Sequence, residues 1–135
     1  MAKGIIPFYS DMAMGTAGLQ KGDYENAGFE KADLIICVGF DMVEYHPHLW
    51  NPNRQHTIIH IDTKKAEVDN RYIPEIELIG NIGPNLAALG EAISDILENP
   101  IASTNIEFHL RDAMIKEMNR CSKSNACPML PQKII

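Results

Sequence analysis

The stretch ADLIICVGFDMVEYHPHLWN, residues 32–51, decides the fold. It opens with an apolar run from Leu34 to Val38 that stops at Gly39. A run apolar at every position, rather than at alternate ones, is what a strand shows when helices cover both faces of a parallel sheet. Two further runs follow it: TIIHI at residues 57–61 and IELI at 76–79, both rich in β-branched residues and ending at Asp or Gly. The last is less purely apolar and is placed near a sheet edge.

Between and after these strands the period lengthens. Over residues 84–98, Leu86, Leu89, Ile93, Ile96 and Leu97 recur at helical spacing and make one core-facing stripe. Pro84 suits the first turn, where a missing N–H costs nothing, and Asn99-Pro100 ends the pattern. A second helix is predicted over 105–122, with Ile106, Leu110, Met114, Met118 and Cys121 on one face. Shorter helices are expected at 24–31 and around 48–50. Strand and helix alternating in this way define an α/β domain with a mainly parallel sheet, since parallel neighbours require a crossover and the crossover is usually a helix. The polar stretch CSKSNAC, residues 121–127, reads as a linker, and PMLPQKII, residues 128–135, as the opening of another element.

Composition narrows the function classes. The 135 residues, 45% hydrophobic, suit one ordinary domain, and the formal net charge of −6 disfavours a nucleic-acid partner, which would need clustered Lys and Arg. Cys37, Cys121 and Cys127 are too few and too scattered for a disulfide framework. MAKGIIPFYS lacks the apolar core of a signal peptide, and no run reaches the roughly 18 apolar residues that span a bilayer. A cytoplasmic chain with no membrane partner is expected.

Residues 32–51, followed by TIIHIDTKKAEVDNRYIPEIELIGN at 57–81, resemble the central domain of acetolactate synthases, which are thiamine-diphosphate-dependent enzymes. Within that family the pattern of Gly39, Phe40, Glu44, Tyr45, Trp50 and Asn51 is similar to the catabolic, acetoin-pathway branch. AKGIIP (residues 2–7) resembles a loop after the domain's second strand, MGTAGL (14–19) the turn that follows, and PMLPQKII the start of the C-terminal cofactor-binding domain. The resemblance implies a Rossmann-like, three-layer domain over residues 1–100 without its first strand-helix-strand unit, a helix and linker over 101–127, and the start of the thiamine-diphosphate-binding domain at 128–135. A sheet shortened in this way leaves an apolar edge uncovered, so association into a homo-oligomer is expected beside docking to the remaining domains of the parent subunit.

The same resemblance implies that the parent condenses two pyruvates to 2-acetolactate and CO2, with thiamine diphosphate and Mg²⁺ held by its first and third domains. The cofactor motif of those domains is Gly-Asp-Gly with a downstream Asn. Here only Lys21-Gly22-Asp23-Tyr24 comes near it, without the second Gly or the Asn. The chain alone is therefore expected to bind neither group, to supply no catalytic residue, and to be structural. The competing expectation is a stand-alone module that binds FAD, ADP or NAD, or that only oligomerises.

In open α/β sheets ligands lie beyond the carboxyl ends of the strands. That places Gly39, Phe40 and Asp41, then Asp62 with Thr63 and Lys64, then Gly80 and Asn81, around one candidate crevice. Asp62 stands where a dinucleotide fold puts its ribose-binding acid, although an acid at a strand end can equally cap the next helix, its oxygens satisfying free N–H groups there. FAD is disfavoured. There is no G-x-G-x-x-G, Phe40-Asp41-Met42-Val43 replaces the Arg-Phe-Asp stretch of the flavin-binding relatives, and residue 81 is Asn rather than Asp. No metal is expected: His46-Pro47-His48 beside Glu44 is not a recognised ligand spacing. His60 reads as a packed, hydrogen-bonded strand residue, Cys121 and Cys127 as ordinary linker thiols, and Gly15 and Gly18 as turn residues.

Overall fold

A computed structural model of the chain describes residues 5–17, 24–97 and 106–123. The segments 2–4 and 128–135, with Gly18, Gly22, Asp23 and Cys127, lie outside the described residues. The chain divides into two compact units, one formed by Phe29–Ser103 and the other by Met1–Gly28 with Thr104–Ile135.

The element order is α1 (Tyr24–Lys31), β1 (Leu34–Val38), a 3₁₀ turn (Pro47–Leu49), β2 (Thr57–Asp62), β3 (Ile76–Ile79), α2 (Ile82–Ile96) and α3 (Ile106–Ser122). The strands form one three-stranded sheet in the order β1-β2-β3, and both pairings are parallel. This is the expected α/β architecture, an open parallel sheet with flanking helices.

Register fixes which side chains share a face. Ile35 pairs with Ile58, Cys37 with His60, and His60 with Glu77, while Val38 pairs with Ile61 and Ile61 with Leu78 on the other face. The first face carries the core, where Ile35, Cys37 and Ile58 are joined by Trp50 and Tyr72 from the loops, with Phe29, Phe40, Met42 and Tyr45 packed around them. On the second face Ile61 is fully buried, and α2 packs against β2 and β3. β1, read from sequence as covered on both faces, is covered on one: Leu34, Ile36 and Val38 stay 42%, 44% and 39% exposed. The physical reason is its place at the edge of the described sheet, with α2 lying over the other two strands.

α2 starts at Ile82, two residues ahead of the position that Pro84 marked, because the Asn81 side chain caps it by accepting the Gly83 N–H at 3.2 Å. Pro84 still falls in the first turn, where it displaces no intrahelical hydrogen bond. Among the described residues no helix is long and apolar enough to cross a membrane.

In the other unit, Arg111 of α3 is 9% exposed and ties down the stretch before Gly15. Its guanidinium donates to the Phe8 carbonyl at 2.7 Å and to the Ala13 carbonyl, and lies 5.4 Å from the centre of the Phe8 ring. Met114, one turn further along α3, and Ala13 are buried.

Candidate functional site

Beyond the carboxyl ends of β1 and β2 the chain leaves a crevice of about 270 Å³, lined by Gly39, Phe40, Asp41, Met42, His60, Asp62, Thr63, Lys64, Lys65, Glu67 and Tyr72. Of the residues picked from sequence, Gly39, Phe40, Asp41 and Asp62 come together here, whereas Gly80 and Asn81 are not among the lining. Gly80 instead prolongs the ladder, its N–H donating to the Asp62 carbonyl at 2.8 Å, and Asn81 is spent on the helix cap.

The backbone makes the opening. Gly39 donates to the Ile61 carbonyl at 2.9 Å and then turns with φ +60, and Gly80 turns with φ +146. Both values disfavour a side chain, so the strand ends can bend sharply only because glycine stands there.

The floor is aromatic. Phe40 meets Trp50 edge-on at 5.9 Å between ring centres and Tyr72 at 5.1 Å, and Trp50 meets Tyr72 edge-on at 6.1 Å. These separations fall in the favourable range for tilted and edge-to-face pairs, and they lock the ring that forms part of the crevice wall. Asn51, 2% exposed, fastens this layer by donating to the Arg71 carbonyl at 2.8 Å and accepting the Gln55 N–H at 3.1 Å.

His60 and Tyr72 were not placed at the site by sequence, and they form its polar base. His60 Nε2 lies 3.1 Å from the Lys64 carbonyl, which can only accept, so that nitrogen carries the proton. Nδ1, 2.8 Å from the Tyr72 hydroxyl, must then accept, and Tyr72 donates. Burial pushes the Tyr72 phenol well above its ordinary range, with neighbouring Cys37 adding to the shift. Burial likewise raises the Cys37 thiol, partly offset by its hydrogen bond with Tyr72. Both groups thus remain protonated, and His60 is the packed, doubly bonded residue that its apolar run suggested. The available signal for Tyr72 was a large aromatic placed just before Ile73-Pro74, at the end of a polar turn.

Two of the three carboxylates that line the opening, those of Asp41 and Asp62, are engaged by the backbone, as is that of Glu77 in β3. Asp41 accepts the Val43 N–H at 2.8 Å, Asp62 accepts from the Thr63 amide and hydroxyl, and Glu77 accepts the Ala66 N–H at 2.8 Å. Partial burial alone would raise the Asp62 carboxyl, but the Thr63 hydroxyl, the Thr63 and Lys64 amides and nearby His60 outweigh it and hold it below the usual carboxylate range. Sequence offered Asp62 as a ribose-binding acid or as the cap of a following helix; no helix follows β2 directly, and the carboxylate instead closes the turn at Thr63. Mg²⁺ with a diphosphate demands several uncommitted oxygen ligands. Asp41 and Asp62, already bonded to their own loops, do not fit that demand, and no chemical step through such a group follows for them.

An open parallel sheet with its crevice at the strand carboxyl ends defines the Rossmann-like α/β class. Residues 1–89 match the family model for the central domain of thiamine pyrophosphate enzymes, and the chain belongs to that family. It is 40% identical over 72 residues to the acetolactate synthase of Bacillus subtilis (strain 168), which is 53% of this chain and 13% of that protein. It is 39% identical over 79 residues to the catabolic acetolactate synthase of Raoultella terrigena, 58% of this chain and 14% of that protein. With the acetolactate synthase large subunit of Pyropia yezoensis the figures are 31% over 100 residues, 72% of this chain and 15% of that protein. The chain thus spans a small part of the length of the relatives it matches.

Proposed function

We propose that the chain serves as the central domain of a cytoplasmic acetolactate synthase, the parent joining two pyruvates to give 2-acetolactate and CO2 with thiamine diphosphate and Mg²⁺. The single observation that carries this reading is the similarity to the Bacillus subtilis and Raoultella terrigena enzymes. On this reading the domain is structural. Of the crevice's lining residues, Phe40 and Tyr72 are packed among aromatic rings and Asp41 and Asp62 are bonded to their own loops, and on this reading thiamine diphosphate and Mg²⁺ belong to the other domains of the subunit. The half-exposed row of Leu34, Ile36 and Val38 on an edge strand of the described sheet supports self-association of the chain as well.

A second reading, a module that binds FAD, ADP or NAD, is favoured by one observation, the convergence of Gly39, Phe40, Asp41 and Asp62 on a crevice. Two measurements separate the readings. Incubation of the chain with pyruvate, thiamine diphosphate and Mg²⁺ is expected to give no acetolactate, and product above a protein-free control would overturn the structural role. Thermal unfolding with each nucleotide is expected to show no saturable rise in midpoint, since a ligand that binds only the folded state must stabilise it.

A further inference from the structure

No further inference is drawn: the strongest candidate, the apolar face of β1 formed by Leu34, Ile36 and Val38 on the side of the sheet where α2 packs, carries nothing because nothing in the structure shows what covers it.

Discussion

The two units of this chain differ in the most strongly charged group that each buries. In the sheet unit, Ile35, Ile58, Trp50 and Tyr72 are all buried to within 7% and the contacts that hold them are apolar and aromatic. In the unit containing α3, a guanidinium is buried along with the apolar Ala13 and Met114, and its two described partners are the backbone carbonyls of Phe8 and Ala13. Around it Ile5, Phe8, Tyr9 and Met12 are each at least half exposed, at 78%, 50%, 84% and 58%. Apolar packing has no direction and scales with area, so its loss is felt throughout a core. A hydrogen-bonded cation is directional, and its loss leaves particular acceptors unpaired.

The largest effect should come from the sheet unit. Ile58→Ala removes a side chain that is 1% exposed, and a cost of about 2–5 kcal/mol is expected in chemical denaturation followed by the fluorescence of Trp50. A cost below about 1 kcal/mol would mean that the core collapses around the gap and that the contrast between the units is weaker than drawn.

Arg111→Met comes next. The replacement keeps an apolar stem but strands the Phe8 and Ala13 carbonyls, for about 1–3 kcal/mol, and amide hydrogen exchange over residues 8–13 should quicken. Unchanged exchange there would show that the guanidinium is not what holds the stretch.

The smallest effect belongs to Asp62, at the rim of the crevice. Its folded carboxyl is held below the usual range, so its contribution is complete above the unfolded-state value and is lost as pH falls through the lower folded value. Asp62→Asn should therefore flatten the acid limb of stability against pH in that window only. The change should be slight because the carboxylate is open to water, and a large loss at neutral pH would place Asp62 among the structural residues of the core.

Most of the sheet was legible because its signals are local. LIICV and IELI became β1 and β3 with the expected bounds, and TIIHI grew by only Asp62 to make β2. α1 and α3 likewise match their predicted positions to within a residue. The crevice was legible in part, since a rule about strand ends finds Gly39, Phe40, Asp41 and Asp62 without knowing the loops. Tyr72 escaped because its contact with His60 spans twelve residues of irregular chain and follows from no periodicity. The hydrogen bond between the His46 and His48 rings escaped for a related reason, because the i, i+2 spacing separates or joins two rings according to the backbone between them, and Pro47 turned out to begin a 3₁₀ turn. The exposed face of β1 was the opposite case: its composition announced coverage that the described residues supply on one side only.

That half-covered strand also bears on aggregation. LIICV is short, uncharged and β-prone, the composition that seeds intermolecular cross-β stacking whenever its edge is open. Glu30, Lys31 and Asp33 stand directly before it and Asp41 shortly after, so the segment is bracketed by charges of the kind that act as gatekeepers against such stacking. Neutralising those flanks is expected to raise the chain's tendency to aggregate, read as turbidity on warming, more than a conservative change within the strand does.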